Sequence, residues 1–207
     1  GCTNLKHLMI AHASLTHHKL YLIVSNCKKI ETFNLAACKK LKDTTLFEVI
    51  RYCPNITLLE LSECNGISDE TLLLISKQCV NIKQLYISQT PSAPAKFSEK
   101  GIQSLMNCNS LTTLSLSSAN GYCRNLKKLY FKHDNLLHFN LSKTKNMTSL
   151  LLDCKKLETL NLSSCKHLSN INIDVPALVK LTARSISNNA ENNIKFQLPP
   201  DCVFQHD

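Results

Sequence analysis

Several motifs that enzymes and nucleotide-binding proteins use are missing from this sequence. Its 207 residues include only four glycines, and they form no G-x-G-x-x-G loop, no P-loop and no G-x-S-x-G nucleophile elbow. No apolar run approaches the roughly 18 residues that a membrane-spanning helix needs, so we expect no membrane insertion. His12, His17 and His18 lie close together, but no carboxylate or cysteine constellation accompanies them. We therefore predict a chain that is not an enzyme, with no catalytic residues and no cofactor.

The cysteines also lack the spacing that a zinc site requires. There are eleven of them, and no C-x-x-C pair occurs. Three pairs are instead separated by eleven residues, namely Cys27 and Cys38, Cys53 and Cys64, and Cys154 and Cys165. A disulfide within such a pair would join opposite ends of one extended strand, which the rise of about 3.3 Å per residue forbids.

Small residues replace the second cysteine of the pair in other copies of the pattern. Ala13, Thr90, Ala119 and Thr144 occupy the equivalent position. A metal site would not tolerate that exchange, whereas a packing position would, so we predict reduced, buried, structural thiols and no metal site. We expect the first cysteines, Cys2 included, to be buried as well. Reduced thiols and an odd cysteine count favour a cytoplasmic or nuclear location.

An apolar frame, L-x-x-L-x-L, recurs along the chain. The spacings between successive frames are 25, 26, 26 and 29 residues, then 15, 10, 11, 10, 11 and 10. A fixed period of this kind is typical of a solenoid, in which stacked coils bury a continuous core. The first apolar position of each frame falls at Leu5, Ile30, Ile56, Ile82, Leu111, Leu126, Leu136, Met147, Leu157, Leu168 and Leu178.

In residues 1–110 each frame precedes a helical pattern. Ser68 is a good N-cap, two acids follow in the first turn, and Leu72, Ile75 and Cys79 mark one helical face. Thr16 and Ser98 begin the same pattern in other copies, while in the second copy Lys42 takes the aligned place and Asp43 could serve as the cap. The sequence therefore predicts coils of about 26 residues, each a β-strand followed by an α-helix.

In residues 111–184 the short spacings add pairwise to 25, 21 and 21 residues. This indicates that the coils continue and that a short strand replaces the helix on the return leg. The frames at Leu126, Met147 and Leu168 then lie on the back, and the others continue the front sheet. A gene-model deletion near Ser118–Cys123 is the alternative explanation.

We therefore predict an α/β solenoid, a horseshoe with a parallel front sheet whose C-terminal third flattens because strands need less room than helices. Residues 1–184 form the solenoid, and residues 185–207 form a polar segment followed by a cap or tail. Residues 89–97 are expected to form an exposed loop, and residues 194–198 alternate like one last strand.

The frame C-x-x-L-x-x-L-x-L-x-x-C, followed by I-S-D-E-T-L at residues 67–72, resembles the cysteine-containing leucine-rich repeat of the F-box/LRR proteins. Residues 2–117 match it closely, and residues 120–184 match it in a short two-strand form. The resemblance implies substrate-recognition repeats of an SCF ubiquitin ligase, at most a non-catalytic subunit of that E3 enzyme. An F-box, which docks the SCF adaptor, needs roughly forty helical residues, and none precede Cys2, so we expect a fragment. The alternative is a free-standing interaction scaffold with no role in ubiquitin-dependent protein breakdown.

Residues out of phase with the leucines should face away from the core on the front, concave side of the sheet. Among them we predict a protein-binding patch that combines apolar, aromatic and polar anchors. Its residues are Met9, Leu58, Glu60, Gln84 and Tyr86.

Nucleic acid is the rival partner, because the net charge is +9 and Lys128, Tyr130 and Lys132 form a basic-aromatic strand. The period places that strand on the back, however, and the front offers few cations. We therefore expect a protein partner on the concave sheet and no nucleic-acid binding.

Overall fold

Strands and helices alternate along the N-terminal half of the computed structural model, which describes residues 2–88, 97–117, 125–186 and 198–206. Four helices occupy this half, and the last continues into a short 3-10 turn at Leu105–Asn107. The predicted strand-helix coils are confirmed. The helices are α1 (His17–Asn26), α2 (Asp43–Tyr52), α3 (Asp69–Gln78) and α4 (Glu99–Ser104).

The predicted caps occupy their positions, but they do not all act as caps. The hydroxyl of Thr16 accepts a hydrogen bond from the Lys19 N–H at 3.4 Å, and that of Ser68 accepts one from the Glu70 N–H at 3.3 Å. Lys42 and Ser98 precede their helices without a capping bond from the side chain. Ser98 instead donates its hydroxyl to Asp69 in the previous coil.

Twelve short strands within the described residues form two parallel sheets. The front sheet has nine strands that follow chain order and pair in parallel. Its strands are β1 (His7–Met9), β2 (Thr32–Asn34), β3 (Leu58–Glu60), β4 (Gln84–Tyr86), β5 (Thr113–Ser115), β7 (His138–Asn140), β9 (Thr159–Asn161), β11 (Lys180–Thr182) and β12 (Val203–Gln205).

The back sheet lies where the short spacings predicted it. Its three strands, in the order β10-β8-β6, replace the helices on the return legs of the C-terminal coils. They are β6 (Lys128–Lys132), β8 (Ser149–Asp153) and β10 (Asn170–Asp174). The predicted architecture, an α/β solenoid of leucine-rich repeats with helices and then strands on the back, is therefore confirmed.

The core is a stack of aligned apolar rows. In the front strands from β2 to β11 the middle residue points inward, so that Phe33, Leu59, Leu85 and Leu114 are in register and fully buried. Burying one such side chain stabilises the fold by about 1.5–3 kcal/mol. Because each row continues from coil to coil, the first and third residues of the same strands are left facing the opposite way.

The described residues that follow β1, β2, β3, β7, β9 and β11 form the same left-handed turn. The third residue beyond a strand has a positive φ, such as 56° at Ala37 and 61° at Ser164, although none of these residues is glycine. The next residue is the second cysteine position, and its thiol donates to a carbonyl of the preceding coil. Cys38 reaches the Ile10 oxygen at 3.2 Å, and Cys165 reaches the Leu141 oxygen at 3.3 Å.

The first cysteine position makes an equivalent bond on the return leg. The Cys154 thiol lies 3.8 Å from the Phe131 carbonyl oxygen. In the coil between those of Cys108 and Cys154, His133 occupies the first cysteine position. Its Nε2 lies 2.9 Å from the backbone carbonyl oxygen of Cys108. The described cysteines are all free, and the packing role is confirmed. The expectation for Cys2 was wrong, because Cys2 lies on the outermost coil and is exposed.

Several predictions concern the junctions. Most of the 89–97 loop, residues 194–197 of the proposed last strand and the alternative at 118–123 lie outside the described residues. Phe97, expected in the exposed loop, is instead buried against the core. Near the C-terminal end of the chain, β12 pairs with β11 and extends the front sheet. None of the described helices is long and apolar enough to cross a membrane.

Candidate functional site

The front face is the side of the nine-stranded sheet that turns away from the core. The first and third residues of each strand form two rows across it, because the strands are in register. The first row comprises His7, Thr32, Leu58, Gln84, Thr113, His138, Thr159, Lys180 and Val203. The second row comprises Met9, Asn34, Glu60, Tyr86, Ser115, Asn140, Asn161, Thr182 and Gln205.

The front face carries all five residues of the predicted patch, but in two places. Leu58 lies directly beside Gln84, and Glu60 directly beside Tyr86, on neighbouring strands. Met9 is on the edge strand, separated from Glu60 by Asn34. Its side chain is 75% exposed, whereas the other four are partly buried. The structure thus forms a compact group of four residues and leaves Met9 apart.

Hydrogen bonds within this group order its polar side chains. The Tyr86 hydroxyl donates to Oε1 of Gln84 at 3.2 Å. Burial raises the pKa of Tyr86, and the nearby Glu60 carboxylate raises it further. Glu60 also has a structural task, because its Oε1 accepts a hydrogen bond from the Ser62 N–H at 2.8 Å.

Three asparagines of the second row make the same local bond as Glu60. The Oδ1 atoms of Asn34, Asn140 and Asn161 each accept a hydrogen bond from the backbone N–H two residues further on, at 3.0 Å. Since a backbone N–H can only donate, the side-chain oxygen is committed to the turn. The amide NH₂ group, a donor, is therefore the part free to face outward. The recurring N-L-S and N-L-A after a strand could have signalled this arrangement.

The C-terminal half of the front face contains a depression of about 370 Å³. It is lined by the outward residues of β5, β7, β9 and β11, with Tyr86 at its N-terminal border. His138 and Thr159 are joined across it by a hydrogen bond of 2.9 Å between Nδ1 and Oγ1. The sequence identified these residues as outward-facing, but the depression depends on how neighbouring strands are arranged in space, so the predicted patch stopped at its border.

The basic-aromatic strand is on the back, as predicted. Lys128, Tyr130 and Lys132 belong to β6, and Lys132 Nζ lies 3.1 Å from a carboxylate oxygen of Asp153 on β8. This hydrogen-bonded ion pair lowers the pKa of Asp153. Lys155 also pairs with Asp153, at 3.5 Å. The positive charges of Lys132 and Lys155 are thus partly neutralised by the Asp153 carboxylate.

Within the described parts of the chain, no group of three His, Cys, Asp or Glu side chains is placed to hold a metal ion. His12 lies in the first left-handed turn, and His17 and His18 begin α1; all three are exposed.

No family model matches this chain, and no curated protein matches it. Among solved structures, an internalin (InlF) from Listeria monocytogenes is similar over 99% of this chain and 68% of its own, with 13% sequence identity and a TM-score of 0.41.

Proposed function

We propose that this chain is a protein-interaction module that binds a partner protein on its front face. One observation carries the proposal: partly exposed apolar and aromatic side chains lie side by side on a sheet face that no described part of the chain covers. Leu58 and Tyr86 occupy adjacent strands, diagonal to one another across the two rows. Apolar and aromatic anchors next to satisfied polar groups are the arrangement that interface hot spots use.

The surrounding surface supports this role. The depression beside Tyr86 adds concave surface with hydrogen-bonding groups along its length. A concave face with an apolar anchor at one end and polar groups along the rest suits recognition of a segment with a defined sequence. Among the described residues of this face there is no constellation of acid, base and nucleophile, and the proposed role is binding without catalysis.

We propose more specifically that these are substrate-recognition repeats of an F-box-type SCF ubiquitin ligase subunit, acting in the cytoplasm or nucleus. The support is the cysteine-containing repeat type, which resembles that family. A free-standing interaction scaffold with no ligase role is the alternative. The SCF adaptor would be reached only through an F-box, so the two functions differ in what the full-length protein captures.

The binding face can be tested with charge insertions on either side of the solenoid. Leu58→Lys should remove the interaction with captured partner proteins, as measured by affinity purification and quantitative mass spectrometry. Leu151→Lys places the same change on the outward face of β8, where the leucine is 40% exposed, and should leave capture intact. Loss of partners in the Leu151 variant but not the Leu58 variant would overturn the assignment of the face.

The ligase role requires a separate experiment. The full-length protein should co-purify with an SCF adaptor, and the repeats alone should not. Absence of both an F-box and adaptor capture would leave the scaffold function as the correct one.

A further inference from the structure

We infer that the depression on β5, β7, β9 and β11 binds an acidic peptide segment of the partner, whose Asp or Glu carboxylates accept hydrogen bonds from the sheet. This inference rests on the proposed function and names the chemistry of the partner. Its basis is an array of hydrogen-bond donors in a part of the front face where the described lining residues include no carboxylate.

Two asparagines place a pair of hydrogen-bond donors side by side in the depression. Asn140 and Asn161 are direct neighbours in register on β7 and β9. Their oxygens are bound to the N–H groups of Ser142 and Ser163, so each presents its NH₂ group. Neighbouring strands lie about 4.8 Å apart, which lets one carboxylate accept a hydrogen bond from both amides. Two donors held by the backbone are preorganised for an anionic acceptor.

The charges around the depression favour an acidic segment. The depression is lined by Lys180 at its C-terminal border, and its lining contains no Asp or Glu. The front-face acid nearest to it, Glu60, lies beyond Tyr86 on β3. The whole chain carries a net charge of +9, which adds long-range attraction for an acidic segment.

The two ends of the depression differ in chemistry and set the direction of the bound segment. The apolar anchor, Leu58 with Tyr86, lies at one end of the depression and Lys180 at the other. A segment that places an apolar residue on Tyr86 and acidic residues over the asparagines satisfies both ends. A nucleic acid backbone would need several cations along its path, and this lining supplies one lysine.

The test is selection from a random peptide library displayed on phage, with the folded chain as bait at physiological salt. We expect the enriched peptides to be richer in Asp and Glu than the library. A synthetic copy of the dominant peptide should bind Asn161→Asp and Lys180→Glu about ten- to a hundredfold more weakly than wild type. Asn161→Asp is the sharper variant, because it keeps an oxygen for the Ser163 N–H and replaces only the outward donor.

Matched controls lie on the back sheet. Asn172→Asp on β10 and Lys128→Glu on β6 make the same changes at exposed positions and should bind the peptide like wild type. Enriched peptides without acidic bias, weakened by Leu58→Lys but not by Asn161→Asp, would overturn the inference and leave the proposed function standing. A selection that yields no peptide sensitive to any front-face change would overturn both. Displacement of the peptide by a thymidine oligonucleotide, with steep salt dependence, would assign the depression to nucleic acid instead.

Discussion

The carboxylate of Asp69, the first residue of α3, accepts a hydrogen bond of 2.8 Å from the backbone N–H of Ser98 and a second from its hydroxyl. Ser98 is the residue that precedes α4. One coil earlier, Asp43 binds the N–H and hydroxyl of Ser68 at 2.9 and 2.8 Å. The starts of α2 and α3 therefore each hold the start of the next helix.

Removing the link should destabilise the stack. Asp69→Ala leaves the N–H and hydroxyl of Ser98 without this acceptor, and we expect the free energy of unfolding to fall by about 1–3 kcal/mol in urea titrations followed by circular dichroism. Glu70→Ala is the control, since it also removes a first-turn acid but is exposed, and should cost about 0.3–1 kcal/mol. Equal losses in the two variants would show that helix-dipole effects, and not the link between coils, account for the stabilisation.

The close approach of the Asp69 side chain to α4 should also require a glycine at residue 101, where Gly101 stands. A Cβ atom at this position would lie 2.0 Å from Oδ1 of Asp69. Replacing a helical glycine by alanine ordinarily stabilises a helix by up to about 1 kcal/mol, whereas Gly101→Ala should destabilise the chain by about 1–3 kcal/mol. A double-mutant cycle measures the cause: after Asp69→Ala the same substitution should cost less, because the clashing carboxylate is gone. Strict additivity of the two changes would contradict this account.

His133 should make stability depend on pH. Burial lowers its pKa, and its Nδ1 accepts the Asn135 N–H at 3.2 Å, so the folded state favours the neutral ring. The unfolded chain therefore takes up a proton at this residue at a higher pH than the folded chain. Its contribution to the free energy of unfolding is complete above the ordinary histidine pKa of 6.5 and is lost as pH falls from there toward the folded-state pKa.

The matched variant is His133→Cys, which restores the residue that other coils use at this position. Between pH 7.5 and 5, as an approximate range, the thiol does not titrate. Urea titrations across that range should show a smaller loss of stability for the variant than for wild type. Parallel pH profiles for the two proteins would exclude His133 as the source.

The buried cysteines should resist alkylation in the folded state. Burial raises the pKa of Cys64, Cys79 and Cys154 to about 12, so little thiolate forms near pH 8. The exposed Cys2 should react with iodoacetamide quickly, and the buried thiols only after unfolding in guanidinium. Peptide mapping by mass spectrometry with two isotopic labels measures both pools. Equal labelling of Cys2 and Cys64 in the folded protein would contradict the buried, structural role.

The architecture was readable in advance because its cause is local and periodic. A frame such as Ile56-Leu59-Leu61 specifies a strand with one buried side, and a fixed spacing specifies that the next strand stacks beside it. The shortening of the frame spacing to steps of 10 to 15 residues, which add pairwise to 25, 21 and 21, was enough to place β6, β8 and β10 on the back. The structural role of the thiols could be predicted for a related reason. Ala13 and Thr144 occupy the equivalent position in other coils, and such residues suit a packing position but not a metal ligand.

The sequence did not predict the hydrogen bonds that join the start of one helix to the start of the next. Asp43 and Asp69 look in sequence like ordinary first-turn acids, and only their distance to the next helix start shows that they join coils. Asn140 and Asn161 look like neutral surface residues until the turn geometry commits their oxygens and leaves their NH₂ groups outward.

Periodicity in the chain thus specified which residues are buried, which side of each strand faces out and where helices give way to strands, because burial depends on spacing along one strand. Contacts between residues more than twenty positions apart required the folded coordinates, because register and the separation of neighbouring coils set them. The bond between Asp69 and Ser98, the donor pair of Asn140 and Asn161, and the depression that ends at Tyr86 and Lys180 all belong to that second kind.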